Sequence, residues 1–271
     1  MKFVFPILLA SLAVLFPIHA DEPGLPKGCS VRRDVVYATR DPGGPQKLDL
    51  YLPAGKGPHP WVLRIHGGAW RAGDKTQGVP TYLLEAGYAI ASVEHRFTSV
   101  APFPAQIQDV KAALRYLREH AAEFDLDPQR VAAMGDSSGS HLACLVGLTS
   151  GVPAFTDDPA SKTNDRVLAV VDFYAPSDLR TIPEDWQKTN HPDLIDAVDR
   201  LLGGSKEERL ARGKSGKPDR LRQQDITTVL DFAGRQGRHR AAEPEHQSRS
   251  CIESSRRLER AGSASGLGSW R

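Results

Sequence analysis

Residues 131–139 read Val-Ala-Ala-Met-Gly-Asp-Ser-Ser-Gly, so an apolar run, Val131–Met134, leads directly into the pattern Gly-x-Ser-x-Gly centred on Ser137. Such a run, followed by this pattern and then by helix-forming residues, predicts a buried strand, a tight turn and a helix. The glycines permit a turn that raises the serine hydroxyl above the sheet edge, at a helix N-terminus where negative charge is stabilised. The pattern predicts Ser137 as a nucleophile, against the alternative of a Gly-Ser-rich turn without chemistry.

Strand-like and helix-like segments alternate around this turn. The strand-like segments are an opening antiparallel pair, Val31–Tyr37 and Leu48–Leu52, and the short apolar runs Trp61–Ile65, Ala89–Val93 and Val167–Tyr174. The helix-like segments are Pro80–Ala86, Ile107–Glu123 and a helix that opens at Ser138 and runs through Leu148. Short apolar runs are typical of strands buried on both faces. Their alternation with helices predicts an α/β fold, a three-layer sandwich around a mostly parallel sheet.

A glycine-rich stretch, His66-Gly67-Gly68-Ala69-Trp70, follows another of the predicted strands. Acyl transfer requires backbone N–H groups aimed at the oxyanion of the tetrahedral intermediate, and glycines let the main chain come close enough. One donor would come from this loop and another from the N–H of Ser138, directly after the predicted nucleophile. The alternative is an ordinary Gly-Gly turn, which the position of the stretch directly after a strand disfavours.

These motifs resemble those of serine esterases of the α/β-hydrolase fold, a group that includes hormone-sensitive-lipase-like esterases and bacterial feruloyl and acetyl-xylan esterases. The similarity extends from about Val31 to Asp178, or about 55% of the chain. Besides the glycine-rich stretch, the matching residues are Gly73-Asp74-Lys75, Ala101–Gln106, Asp109–Leu117, Asp127–Val131 and Gly135–Ala143. The sequence departs from the usual pattern at Ser140, where glycine is usual, and at Glu94-His95-Arg96-Phe97, where Tyr-Arg is usual.

The resemblance implies a carboxylester hydrolase in which Ser137 is the nucleophile and the oxyanion hole consists of Gly67, Gly68, Ala69 and Ser138. It implies a small-molecule or polysaccharide-linked ester as substrate, with acetyl and feruloyl groups as candidates. It implies no cofactor and no metal, and no Cys or His spacing in the sequence is typical of a zinc site. An exopeptidase of the same fold is a weaker alternative.

The acid and the base that this chemistry requires are not identified in the sequence and are left as unknown. In this fold they follow the serine, in the order Asp or Glu and then His, each after a later strand. After Val167–Tyr174 the only apolar run in the basic C-terminal part is Thr227–Phe232, and His239 and His246 lie among Arg and Glu residues. We therefore expect the C-terminal strands of the sheet, with the acid and the base, to be missing.

Charge divides the chain at about residue 205. The 271 residues have a formal net charge of +2, which excludes the basic excess of a dedicated nucleic-acid binder. Residues 1–205 contain 20 Lys and Arg against 24 Asp and Glu, whereas residues 206–271 contain 15 against 9. The latter also contain only nine Leu, Ile, Val or Phe residues, a proportion associated with disorder. We expect an incomplete α/β-hydrolase core over residues 21–205 and a basic, poorly ordered tail over residues 206–271.

A shifted reading frame would explain this tail. When residues 226–245 are translated back into degenerate codons and one nucleotide is dropped, the codons permit SPPFLILQGDKDATVPLNQS. That string contains a proline-led strand, a Gly-Asp-x-Asp turn and a Val-Pro helix start, as the resembled esterases show at the strand that carries their acid. We hypothesise that the frame shifts between Gly204 and Gly216. The rival interpretation of residues 206–271 is a genuine basic tail that binds polyanions or a cell wall. The alternative to an active esterase is a truncated or frame-shifted remnant that is catalytically inactive.

The first twenty residues have the pattern of a secretory signal peptide. Met1-Lys2 precedes an apolar run, Phe3–Ile18, which is broken by two prolines and followed by His19-Ala20-Asp21-Glu22. The run is too short to span a bilayer comfortably. We expect cleavage after Ala20 and a secreted or periplasmic protein without a stable membrane span. A membrane anchor and a buried N-terminal helix are the alternatives.

Overall fold

The structure is a computed structural model of the chain, and it describes residues 18–20, 24–176, 179, 192–204 and 229–231. The strands are Ile18–Ala20 (β1), Ser30–Arg40 (β2), Gly44–Leu52 (β3), His59–Ile65 (β4), Ala89–Val93 (β5), Leu126–Asp136 (β6), Ala169–Phe173 (β7) and Val229–Asp231 (β8). The helices are Tyr82–Glu85 (α1), Ala105–Glu119 (α2), Ser138–Leu148 (α3) and Pro192–Leu201 (α4). The strands form one sheet in the order β1-β2-β3-β5-β4-β6-β7-β8.

The opening part of the sheet is antiparallel, as the sequence predicts. Strands β2 and β3 pair as a hairpin, and β3 pairs antiparallel with β5. The turn between them contains Asp41-Pro42-Gly43-Gly44, and both glycines adopt positive φ values that other residues rarely adopt. This hairpin extends the sheet beyond β5 and takes no part in the candidate site described below.

The central part of the sheet is parallel and runs β5-β4-β6-β7-β8. Every residue of β5 is buried, which explains why the sequence shows an apolar run there and no alternation. In the sheet, the chain moves from β4 to β5 towards the hairpin edge, whereas it moves from β5 to β6 and from β6 to β7 towards the opposite edge. Right-handed crossovers therefore place α1 on one face and both α2 and α3 on the other. This arrangement confirms the three-layer α/β prediction.

Several element boundaries differ from those predicted. The helix expected over Pro80–Ala86 is only the single turn α1, and Gly87, with φ 82°, ends it. The helix expected over Ile107–Glu123 begins two residues earlier and ends at Glu119. Strand β6 is much longer than the predicted Val131–Met134, because pairing with β4 extends it in both directions. Helix α3 and strand β5 have the predicted bounds.

The C-terminal side of the sheet also differs from the expectation. The sequence predicts that no strand follows β7 in the sheet, but Val229–Asp231 pairs in parallel with Val170–Asp172 of β7. This short strand falls within Thr227–Phe232, the one apolar run that the sequence offers there. The remainder of the predicted tail, residues 206–228 and 232–271, lies outside the described residues.

At the N-terminal side, Ile18–Ala20 pairs antiparallel with residues Ser30–Arg32 of β2. Residues 1–17, which carry most of the predicted signal peptide, lie outside the described residues. In the described part of the chain, no helix combines the length and the apolar character that crossing a bilayer requires.

Candidate active site

The two glycine-containing motifs meet at the carboxyl edge of the parallel sheet. Strand β4 ends at Ile65, which is paired with Gly135 of β6. Asp136 at the end of β6 is paired with Phe173 at the end of β7. Parallel neighbours bring their carboxyl ends to one edge, so the loop after β4 lies beside the turn after β6. The sheet therefore brings together two motifs that are far apart in the sequence.

Ser137 forms the turn between β6 and α3. Its φ of 52° and ψ of −122° are strained for any residue with a side chain. The Ser137 N–H donates to the Phe173 carbonyl at 2.9 Å, and the His141 N–H donates to the Ser137 carbonyl at 3.1 Å. The residue is half-buried. This turn has the backbone geometry of a nucleophile elbow.

Two glycines permit close packing around the turn. A Cβ at Gly135 would overlap the backbone of Gly139 and Ser140. A Cβ at Gly139 would overlap the carbonyl oxygens of Ile65 and His66. The first turn of α3 thus packs directly on the end of β4, at a distance that only glycine permits. This contact fixes the position of the turn after β6 relative to the loop after β4.

The loop after β4 contains three consecutive residues with positive φ: Gly68 at 125°, Ala69 at 53° and Trp70 at 56°. The Gly68 carbonyl accepts the N–H groups of Arg71 and Ala72 at 3.1 and 3.0 Å, which closes the loop on itself. Among the described residues, no acceptor binds the N–H of Gly68 or Ala69. Strain at two residues with side chains is typical of a backbone held for function.

The N–H of Ser138 begins α3, where the first N–H groups of a helix have no partner within the helix. No acceptor in the described ranges binds this N–H. Like the N–H groups of Gly68 and Ala69, it is therefore available as a donor. The structure thus brings together Gly67, Gly68, Ala69, Ser137 and Ser138, the five predicted site residues.

Asp136, directly before the turn, connects the two motifs through its side chain. Its carboxylate forms an ion pair with Arg64 of β4 and lies against Gly67, where a Cβ would overlap it. The Arg64 guanidinium also donates to the Gly78 carbonyl at 3.1 Å and to the Ile65 carbonyl. Sequence reasoning missed Arg64, although a charged residue inside a buried strand signals a required partner.

Two buried histidine rings lie next to each other: that of His66, which begins the loop after β4, and that of His95, which follows β5. His66 Nδ1 lies 2.7 Å from the Gly67 carbonyl oxygen, and Phe97 packs edge-on against both rings. Desolvation by burial lowers the pKa of His66. Desolvation, followed by the neighbouring His66, lowers the pKa of His95 to about 4. Both rings are therefore neutral at neutral pH, and His95 was not identified by sequence reasoning.

His141 lies one helical turn after Ser137, with its ring T-shaped against Trp70 at a centroid distance of 5.4 Å. Desolvation lowers the pKa of His141 to about 4. Nothing in the described part of the chain forms a hydrogen bond with its Nδ1 atom. Its interaction with Ser137 is the backbone hydrogen bond given above.

A cavity of about 870 Å³ lies between this edge of the sheet and the start of α1. Its walls include Arg64, Gly68, Asp136 and Phe173, and the exposed rings of Tyr82 and Tyr174 also line it. A cavity of this size can hold a small organic ligand.

The acid and the base are not visible at this site in residues 24–176, 179 and 192–204. Within those ranges no hydrogen bond joins Ser137 Oγ to a histidine, and no group of His, Cys, Asp and Glu side chains is arranged to bind a metal ion. His239 and His246, the histidines of the predicted tail, lie outside the described residues.

The chain is similar in sequence to known ester hydrolases. The chain is 33% identical over 150 residues to the probable carboxylic ester hydrolase LipM of Mycobacterium tuberculosis, which covers 54% of this chain and 33% of LipM. It is 31% identical over 177 residues to esterase LipC of the same organism, which covers 63% of this chain and 41% of LipC. The matched part therefore spans between a third and two fifths of these relatives.

Solved structures show the same likeness. The bifunctional GH43-CE protein of Bacteroides eggerthii is 36% identical, with a TM-score of 0.58 over 66% of this chain and 27% of that chain. Esterase B of Lactobacillus rhamnosis is 27% identical, with a TM-score of 0.57 over 68% of this chain and 60% of that chain.

Fold and relatives together define an esterase-type α/β-hydrolase. Residues 48–237 match the BD-FAE family, and this range is more than half of the chain. The chain belongs to the BD-FAE family of α/β-hydrolase esterases.

Proposed function

We propose that this chain is a serine carboxylester hydrolase in which Ser137 attacks the acyl carbonyl. The observation that carries this proposal is the strained backbone of Ser137 at the N-terminus of α3, beside a loop whose Gly68 and Ala69 N–H groups have no acceptor among the described residues. Strained serines in this position present their hydroxyl at the end of a strand, where an ester can reach it.

In the proposed reaction Ser137 Oγ forms a bond to the carbonyl carbon and loses its proton to a general base. The carbonyl oxygen becomes an oxyanion, which accepts hydrogen bonds from the N–H groups of the loop 67–69 and of Ser138. Collapse of this intermediate breaks the ester bond, and the alcohol leaves with a proton. Water then attacks the acyl-enzyme, the acid is released and the Ser137 hydroxyl is restored.

We further propose that residues 1–205 do not supply the general base or its acid, so that the chain turns over slowly. The support is that no histidine side chain forms a hydrogen bond with Ser137 Oγ in the described part of the chain. A site without one triad member retains about 10³- to 10⁴-fold acceleration over water, from the oxyanion hole and binding alone. We expect slow esterase activity that depends on Ser137.

Acetyl or feruloyl esters of polysaccharide are the finer substrate proposal. They rest on the resemblance of the stretches His66–Trp70 and Gly135–Ala143 to esterases that act on such groups. Secretion is proposed on the pattern of residues 1–20. Cleavage after Ala20 would give a mature chain that starts at Asp21 and lacks β1, which N-terminal sequencing of the exported protein would reveal.

The test is hydrolysis of p-nitrophenyl acetate by the full chain and by Ser137→Ala, with Ser99→Ala as a control for an exposed serine outside the site. We expect the wild-type and control proteins to release p-nitrophenol at equal rates, and Ser137→Ala to fall to background. Equal rates for all three proteins would overturn the proposal and favour an inactive remnant. Release of p-nitroaniline from an aminoacyl p-nitroanilide, without ester cleavage, would favour the exopeptidase.

A further inference from the structure

A chain of hydrogen bonds connects α3 to the end of β7 directly beneath the proposed nucleophile. The Ser137 N–H donates to the Phe173 carbonyl, and the Phe173 N–H donates to Ser140 Oγ, each at 2.9 Å. The Ser140 hydroxyl in turn donates to the Asp172 carboxylate. The same carboxylate oxygen accepts the Ala175 N–H at 2.9 Å.

Both side chains of the Ser140–Asp172 pair are buried: Ser140 is 0% exposed and Asp172 is 5% exposed. A buried hydroxyl requires an acceptor for its proton and a donor for its oxygen, and Ser140 has both. A buried carboxylate requires donors, and Asp172 receives two. The pair thus connects α3 to β7 through buried hydrogen bonds.

The backbone that this pair holds is strained on both sides. Ser137 has φ 52°, and Tyr174, which follows the end of β7, has φ 53°. Left-handed conformations of residues with side chains persist only where the surrounding structure fixes them. The Ser140 hydroxyl holds Phe173, the residue that lies directly before Tyr174 and whose carbonyl holds Ser137.

We propose that Ser140, acting with Asp172, is a positioning residue that keeps the Ser137 hydroxyl aligned for attack on the ester. The role is indirect, because Ser140 acts through Phe173 and does not reach the substrate. It rests on the proposed function of Ser137 as nucleophile. The proposal also explains the serine at position 140, the one residue of the Gly135–Ala143 stretch that departs from the resembled pattern.

The first measurement does not require activity. Hydrogen exchange of the Ser137 and Phe173 amides is compared in the wild type, in Ser140→Ala and in the matched control Thr149→Val. Thr149 is also buried and ends the same helix, and its hydroxyl donates to the Leu145 carbonyl at 2.6 Å, far from the elbow. We expect Ser140→Ala to exchange both amides at least about tenfold faster, and Thr149→Val to leave them unchanged.

The second measurement is the rate at which Ser137 is acetylated by p-nitrophenyl acetate, followed by intact mass. A misplaced nucleophile loses rate without losing substrate affinity, so Ser140→Ala should lower the acylation rate constant about 10- to 100-fold at unchanged KM. Thr149→Val should stay within about twofold of the wild type, even if its Tm falls as far as that of Ser140→Ala.

Variants of Asp172 distinguish the effect of its hydrogen bonds from the effect of its negative charge. Asp172→Asn keeps an oxygen that can accept from Ser140 and Ala175, so we expect it to restore most of the rate that Asp172→Ala loses. The double variant Ser140→Ala/Asp172→Ala should be no slower than either single variant, because both act through one connection. Additive losses would overturn the proposal.

The outcomes distinguish the two proposals. If the wild type forms no acetyl-Ser137, the proposed function fails, and the exchange rates alone decide whether Ser140 holds the elbow. If the wild type reacts but Ser140→Ala reacts equally fast, the positioning role is wrong and the proposed function stands. A higher KM without a lower acylation rate would also overturn the positioning role.

Discussion

The imidazole rings of His66 and His95 stack with their centroids 4.9 Å apart and their planes within 13° of parallel. Both side chains are buried, and Nε2 of each has no hydrogen-bond partner among the described residues. Such packing suits neutral rings, because a proton on either would place a desolvated charge against its neighbour. The loop that offers the proposed oxyanion donors is therefore supported by two rings that must remain uncharged.

This relationship predicts a loss of stability in mild acid. The pKa of His95 is lowered to about 4 by desolvation and then by His66, and Asp109 and the Arg96 carbonyl act against this. The unfolded chain binds the proton near pH 6.5, so the unfolded state takes up more protons between pH 6.5 and about 4. The contribution of the neutral His95 ring to the unfolding free energy is complete above pH 6.5. It is lost as the pH falls towards 4, by at most about 1.4 kcal/mol per pH unit.

Urea unfolding at several pH values measures this effect. We expect His95→Phe, which keeps an aromatic ring in place, to lose less unfolding free energy than the wild type between pH 7 and about 5. Parallel stability curves for the two proteins would contradict the assignment to His95.

The contact of Gly139 with the end of β4 predicts the effect of adding one methyl group. Gly139→Ala would drive a Cβ into the carbonyl oxygens of Ile65 and His66, and backbone cannot move aside as a flexible side chain can. We expect a loss of about 1–3 kcal/mol in unfolding free energy, measured by denaturant titration. Esterase activity should fall at least about 100-fold, because the two donor segments move apart. A fully active, stable variant would show that this contact does not set the site.

The buried ion pair of Lys111 and Asp165 predicts an asymmetric mutational response. Lys111 Nζ lies 2.7 Å from the Asp165 carboxylate and also donates to the Thr149 carbonyl. Burial raises the pKa of Asp165, but the hydrogen bond and the charge of Lys111, together with the hydrogen bonds from Ser150 and Gly151, outweigh burial and lower this pKa overall. Lys111→Met should therefore cost about 3–5 kcal/mol, since it leaves a buried carboxylate unpaired.

The double variant Lys111→Met/Asp165→Asn should recover much of that loss, because no buried charge remains and the amide oxygen can still accept from Ser150 and Gly151. Chemical denaturation of the wild type, the single variant and the double variant checks this. A double variant less stable than Lys111→Met would count against the explanation.

The reading-frame hypothesis predicts a definite DNA sequence. The codons for residues 226–245 should read SPPFLILQGDKDATVPLNQS after a shift of one nucleotide, and bases that forbid this string would end the hypothesis. A chain whose frame is restored between Gly204 and Gly216 should hydrolyse p-nitrophenyl acetate at least about 10³-fold faster than the present chain, because it would regain an acid and a base. Ser137→Ala in the restored chain is the control.

Local patterns were sufficient to predict most of the fold. Helix α3 and strand β5 have the bounds that their apolar patterns indicate. In both elements the apolar residues that form the pattern are the residues that pack in the core. Strand β6 was predicted too short, because residues 127–130 are polar, charged or proline and hide the pairing of Leu126 with β4 from a local apolar pattern. Helix α1 was predicted too long, because a helical pattern of seven residues gives no indication of where its backbone hydrogen bonds end.

In the candidate site, too, local motifs predicted some residues, and contacts between distant segments decided the others. The motifs predicted Ser137, Ser138 and the loop from Gly67 to Ala69, because the glycines and the preceding strand of each motif are adjacent to it in the sequence. They gave no indication of Arg64 beside Asp136, of His95 beneath His66 or of Ser140 bonded to Asp172. Each of these pairs joins residues from different strands, helices or loops, and a single sequence does not show which separate segments become neighbours.

The sequence by itself determined the class of fold, the position of the strained serine and the backbone donors around it, because these depend on local conformation and on the period of apolar residues. Only the tertiary structure decided what holds them in place. Parallel pairing of β4, β6 and β7 brings Ser137 next to the loop after β4. Contacts at Gly139 and Asp136 fix that separation, and Ser140 connects α3 to β7. Those contacts lie between segments far apart in the chain, so their geometry exists only once the sheet has formed.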